Sequence, residues 1–360
     1  MNIAFFGSSL VSAYWNGAAT YYRGIIKAIH ARGHRVTFYE PDAYNRQQHR
    51  DIPDPEWAKV VVYNCESEGA VRSHLQEAKS ADLIVKASGV GAFDELLEEA
   101  VVELKTSRNL VAFWDVDAPA TLDRVQNKGD DPFRTLIPQY DLILTYGGGD
   151  PVVDAYRQLG AKECVPIYNA LDPETHHPVA PEERFVSDLN FLGNRLPDRE
   201  ARVEDFFLGA AQQLPDKNFI IGGSGWGDKR MPPNVRDAGH VFTADHNAFN
   251  CSPKAVLNIS RESMARYGFS PATRVFEAAG AGACMITDYW EGIEQFLVPD
   301  EEILVARSGD DVVQILADLS PERARSIGQQ ALGKVLREHT YAHRAEKLEA
   351  VLENRSIGVA

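Results

Sequence analysis

The sequence predicts an α/β protein made of two halves, each with its own parallel sheet, and three observations carry that expectation. Short apolar runs alternate with segments whose apolar residues recur at helical spacing, the pattern of βαβ units. The alternation begins afresh at Leu189. Between the two series, residues 167–184 (IYNALDPETHHPVAPEER) carry three prolines and few large apolar side chains, as an interdomain connection does. The expected division is a first domain over residues 1–168, a linker over 169–185 and a second domain over 186–339. A last helix over 340–357, starting after a Thr340 cap, is expected to pack back on the first domain. At 360 residues the chain can bury two cores, and two domains imply a cleft.

In chain order, NIAFFG reads as the first strand, residues 18–32 as a helix and HRVTFYEP as the second strand. ADLIVKAS, LVAFWDVD, YDLILTYGG and ECVPIY continue the first series as buried strands. LNFLGN, a helix through Phe206, NFIIGGSG, AVLNISR, ACMITD and EILVA make the second.

Composition removes several classes of function. With 44% hydrophobic and 25% charged residues the chain is neither disordered nor fibrous. No basic leader precedes its first apolar run and no stretch approaches the ~20 apolar residues of a membrane span, so a cytoplasmic location is expected. Cys65, Cys164, Cys251 and Cys284 lack CxxC spacing, which argues against a zinc site or a disulfide framework and for inert thiols. A net charge of −15 repels nucleic acid and anionic membranes, so neither is an expected partner and an anionic ligand needs local basic residues. A dinucleotide fingerprint after Gly7 fails, because Ser9 and Ser12 stand where glycines are needed; Glu40 is then a solvated strand end.

Residues 268–294, GFSPATRVFEAAGAGACMITDYWEGIE, suggest a ligand site. Ser270 is placed to cap a helix and Pro271 suits its first turn, so an anion can dock at that helix end beside Gly268, Phe269 and Thr273. Glu277, about two turns along, is placed to accept hydrogen bonds from ribose hydroxyls while phosphates stay at the helix end. The alternative is a plain capped helix. The strand ending at Asp288 brings its carboxyl end to the crevice where open α/β sheets bind ligands, which favours a nucleoside diphosphate.

The same stretch resembles the donor-binding region of GT-B glycosyltransferases, closest to the group of the spore-maturation protein CgeB, with its GYSP-type loop, R-x-FEAA helix and T/S-D-x-W-x-G-x-E loop. WDVDAPATL, LNFLGNRLPDRE, LNISRESM and IYNALDPETHHP resemble further segments of that group. The resemblance implies a GT-B fold, two Rossmann-like domains facing each other across a cleft, and a metal-independent, retaining transfer of a sugar from a nucleoside-diphosphate sugar to an acceptor hydroxyl. No cofactor is implied beyond that co-substrate, a UDP-sugar first. It also implies a ribose contact for Glu277. The E-x7-E pattern of the wider retaining group is broken, because its first glutamate falls on Phe269; Asp288 or Glu291 is the expected substitute. A nucleotide-sugar epimerase and a non-catalytic nucleotide-sugar-binding protein are the alternatives.

Arg195, Arg199, Arg261 and Arg274 are the expected diphosphate partners, against salt bridges to Asp198 or Glu200 for the first two and solvation for Arg274. Gly223, in the GGSGWG turn, is placed to approach the base, and Trp226 either stacks there or packs. In the first domain Ser8, Ser9, Tyr14, Trp15 and Asn16 are expected to face the acceptor, and Asp115 or Asp117 to be its general base. Asp115 and Asp117 also spell the D-x-D of metal-dependent GT-A enzymes, but the second α/β half speaks against that fold, and no metal site is expected. His176, His177 and His246 lack metal spacing and read as structural or linker residues.

Overall fold

The computed structural model describes residues 1–356; Ile357, the expected end of the last helix, lies outside them. Contacts divide the chain into two units.

The first unit comprises Met1–Asn169 and the helix Tyr341–Ser356. Its strands are β1 (Asn2–Phe6), β2 (Arg35–Pro41), β3 (Lys59–Tyr63), β4 (Leu83–Ala87), β5 (Leu110–Asp115), β6 (Leu142–Thr145) and β7 (Cys164–Pro166). They form one parallel sheet in the order β3-β2-β1-β4-β5-β6-β7. Strand order reverses between β1 and β4, so the loops at their carboxyl ends frame a crevice. The edge strand β3 is not among the expected strands: only Tyr63 of its KVVVY is fully buried. Lys86 sits fully buried in the apolar strand β4 because Asp94 and Glu98 receive its ammonium at 2.7 and 3.5 Å, with Arg124 on the far side of Glu98 at 3.1 Å.

The helix Tyr341–Ser356 lies on the helix Ala19–Ala31. Gly24 makes the close approach possible, since a Cβ there would fall 2.1 Å from the Tyr341 ring. Glu349 bonds Arg32 and His34 at the other end.

The second unit is Ala170–Thr340. Its strands β8 (Leu189–Leu192), β9 (Phe219–Gly222), β10 (Val235–Asp237), β11 (Ala255–Asn258), β12 (Met285–Asp288) and β13 (Leu304–Ala306) form a second parallel sheet, ordered β10-β9-β8-β11-β12-β13. Phe191, Phe207, Trp226, Leu257 and Ile286 are in its core. Here the order reverses between β8 and β11. The short edge strand β10 is likewise absent from the expected series.

Residues 170–185 are not a free linker. Leu171 bridges to Thr340, the Thr175 carbonyl accepts from Asn247 at 3.0 Å, and Glu182 N–H donates to Ser252 at 2.9 Å. The prolines suit an interdomain linker, and the segment's backbone groups find partners on the second unit.

Candidate functional site

The carboxyl ends of β8, β11 and β12 gather most of the basic residues singled out above. After β8 the chain runs beside the turn after β9: Gly193 N–H donates to Gly222 O at 2.8 Å and Arg195 N–H to Ser224 O at 2.9 Å. Gly223 permits this, having φ +121 and a position where a Cβ would fall 2.4 Å from Gly193 O. Trp226 packs: it is buried and its indole N–H donates to Gly193 O at 2.8 Å.

The arginines divide by environment. Arg195 is held in a surface network by Glu200 at 2.7 Å and Asp228 at 2.9 Å, so the salt-bridge alternative describes it. Arg261 pairs with Asp198 at 2.7 Å. Arg199 and Arg274 instead flank the Phe191 ring, at 5.6 and 5.3 Å from its centre. Burial and then the Arg274 charge push Arg199 down to about 10, and burial likewise lowers Arg274, which is not solvated but donates to Asn258 Oδ1 at 3.2 Å. Burial outweighs the nearby acids at both guanidiniums, so a bound anion would relieve them.

Arg274 belongs to the helix Thr273–Gly280. That helix starts later than expected. Ser270 does not cap it; its hydroxyl donates to Gly268 O at 2.9 Å, and no side chain caps the helix. The amino end thus keeps N–H groups for an anion. Pro271 lies before the helix, and Glu277 is one turn inside it rather than two. Gly268 and Phe269 both take left-handed backbone, φ +70 and +47, and Phe269 N–H donates to Glu291 O at 2.6 Å. The Phe269 ring covers Gly292. The residue in the position of the absent glutamate therefore pins its loop to the loop carrying Glu291.

Asp288 cannot supply the missing sugar contact. It is fully buried, bonded to Arg202 at 2.6 Å and to Ser260 N–H and Oγ at 2.9 and 3.2 Å, and burial raises its carboxyl against those partners. Glu291, the other expected substitute, is exposed.

In the first unit the loop after β1 is mostly self-satisfied. Ser8 Oγ donates to Asn16 Oδ1 at 2.9 Å, and Asn16 donates to Ser9 O at 2.8 Å, all three residues being buried. Glu40 is no solvated strand end: it is wholly buried and accepts from Ser9 Oγ, Leu10 N–H and Gln47 at 3.0, 2.6 and 2.6 Å. Tyr14, stacked 4.0 Å from His49, and Trp15, 68% exposed, are the expected acceptor residues that present surface. Asp115 is corrected in the same way. It is wholly buried, and Tyr156 OH, Thr121 Oγ1 and Asp117 N–H donate to it at 2.5, 3.0 and 3.0 Å. Burial raises it against these bonds, and its oxygens hold a turn instead of facing an acceptor. Asp117 stands half-buried at the start of the helix Ala118–Asn127.

Sequence reasoning sets aside His176 and His246. The structure brings one ligand atom from each, and one from Glu277, within 4.8 Å of one another. Positions so far apart in the chain give no spacing signal.

Residues 199–350 match the family model described as glycosyl transferase-like. No curated protein sequence gives a significant match. Among solved structures, a sucrose-phosphate synthase from Thermosynechococcus elongatus superposes with a TM-score of 0.74 at 13% identity, covering 99% of this chain and 100% of that one. Anabaena HepE in complex with UDP and glucose gives 0.68 at 14% identity, covering 98% and 100%. An α-glucosyltransferase in complex with UDP-glucose and DNA gives 0.68 at 12% identity, covering 98% and 99%. The two-unit fold is that of GT-B enzymes. Among the described residues no helix is long and apolar enough to cross a membrane.

Proposed function

We propose that the protein transfers a sugar from a nucleoside-diphosphate sugar, a UDP-sugar first, to an acceptor hydroxyl, without a metal cofactor and with retention, as a member of the CgeB-like group. The observation that carries this is the convergence, where the second sheet reverses its strand order, of an uncapped helix end, the desolvated Arg199 and Arg274, and Glu277. The helix end and the two guanidiniums take the diphosphate and stabilise it as it leaves. Glu277 accepts from the ribose hydroxyls, and Glu291 takes the sugar-side role that Phe269 cannot. Asp117, with Tyr14 and Trp15, serves the acceptor. The acceptor is a small hydroxyl compound rather than nucleic acid, given a net charge of −15, and the expected cytoplasmic location belongs to the same proposal.

Calorimetric titration with UDP in the presence of EDTA tests the donor site. Wild type should bind, and Glu277→Ala should lose roughly 1.5–3 kcal/mol, about ten- to hundredfold in affinity. Unchanged affinity in a folded variant returns Glu277 to a structural role. Transfer of label from UDP-sugars should survive EDTA; turnover with no acceptor present marks an epimerase instead.

A further inference from the structure

We propose that His176, His246 and Glu277 form a binding site for a divalent transition metal of the zinc class. The three come from separate parts of one unit: the strap after β7, the start of the helix His246–Cys251, and the helix Thr273–Gly280. Each offers a ligand atom, and all three atoms lie within 4.8 Å of one another. Tetrahedral zinc, with bonds of about 2.0–2.1 Å, sets its ligand atoms about 3.4 Å apart, so modest side-chain rotation closes the site.

An independent observation points the same way. His176 is 2% exposed, and its Nε2 has no hydrogen-bond partner among the described residues. A buried ring nitrogen without a partner is costly, and a metal is one ligand that satisfies it. His246 Nε2 lies 3.3 Å from Val241 O, and donating there leaves the lone pair on Nδ1 for a metal. Backbone carbonyls commonly fix metal-binding histidines in this way. The rings of His176 and His246 stack at 6.0 Å rather than bonding each other. Two imidazoles and a carboxylate suit zinc, cobalt or nickel, whereas magnesium and calcium prefer oxygen.

Glu277 is also the ribose ligand proposed above, so metal and nucleotide compete for it; this competition rests on that proposal, and the metal site does not. Occupation of the site would therefore inhibit the transfer proposed above, which is itself proposed to need no metal.

The test titrates Co2+ into the chelator-stripped full chain and follows its visible ligand-field absorption, with Zn2+ as displacing ion. One equivalent of cobalt with low-symmetry bands is expected, with binding weakened at least tenfold in His246→Asn and in Glu277→Gln, each checked for a native circular dichroism spectrum and melting curve. Absence of a saturable cobalt site in the wild type, or the same affinity in both folded variants, overturns the site. UDP affinity measured in chelator tests the ribose role of Glu277 separately. Zn2+ should then weaken UDP binding in wild type but not in His246→Asn; an effect that persists in the variant is zinc held by UDP itself and overturns the competition.

Discussion

Replacing Arg199 by Met should make the unliganded protein more stable and its hold on a nucleoside diphosphate weaker, two effects of opposite sign from one substitution. Burial, then the Arg274 guanidinium, push Arg199 from the ordinary arginine value of 12.5 down to about 10. Both the folded and the unfolded chain hold this proton at pH 7, so the penalty on the charged form is fully present there; it fades only as the pH climbs through about 10 toward 12.5. A drop of that size corresponds to about 3 kcal/mol. Against it stand the contact with the Phe191 ring, about 0.5–1 kcal/mol, and a hydrogen bond to the exposed Asn194 carbonyl, which water can replace. The Arg199 Nε is buried without a partner among the described residues, so its removal costs nothing there. The net expectation is a gain of about 1–2 kcal/mol, visible in calorimetric melting as roughly 2–4 °C per kcal/mol. Titration with UDP should meanwhile show a ten- to hundredfold loss, about 1.4–2.8 kcal/mol. A variant that melts below the wild type refutes the charge-repulsion account, and unchanged UDP affinity removes Arg199 from the donor site.

The two aspartates of the first unit should separate. Asp115→Asn should lower stability by about 1–3 kcal/mol, because a carboxamide has one acceptor oxygen where Tyr156 OH on one side and Thr121 Oγ1 with the Asp117 N–H on the other use two, while turnover per folded molecule stays near wild type. Asp117→Asn should cut turnover at least tenfold and leave UDP affinity within about threefold, ~0.7 kcal/mol; equal turnover removes it as the base. Asp94→Ala, by stripping a partner from the fully buried Lys86, should cost about 3 kcal/mol at neutral pH, read from urea unfolding. Burial raises the Asp94 carboxyl, but Lys86 and the Gly91 and Val90 N–H groups outweigh it and hold it below 3.8. Its contribution is therefore present above that value and lost as the pH falls through the lower folded one, so Asp94→Asn should flatten the acid limb below about pH 4; an unaltered limb contradicts the ion pair.

Strands buried on both faces are legible because they read as unbroken apolar runs, as in IAFF of β1 and FIIG of β9. The edge strands are not: β3 is half-exposed, and β10 is three residues with two of them open to solvent. The donor helix is visible in outline, but its start is displaced, since the Ser270 hydroxyl serves the preceding loop. Which arginine stays available depends on acids far along the chain: Asp228 folds back on Arg195, whereas burial and the Arg274 charge dominate the surroundings of Arg199. Glu40 and Asp115 look accessible as strand-end carboxylates. Neighbouring hydroxyls and N–H groups make their burial tolerable, which no pattern along the chain reveals.

The chain leaves the first unit at Asn169 and rejoins it at Tyr341, so this unit is sealed by a piece made after the other one. During synthesis the helix Ala19–Ala31 waits with its notch at Gly24 vacant, on the order of ten seconds or more at ~5–20 residues per second, until the Tyr341 ring arrives. Tyr21, whose ring ends 6.1 Å from that of Tyr341, is left uncovered on one side for the same interval. Order of manufacture thus runs against order of assembly: the half begun first is finished second. A stall or break within the second unit leaves the first one open as well, through a part that was never delivered.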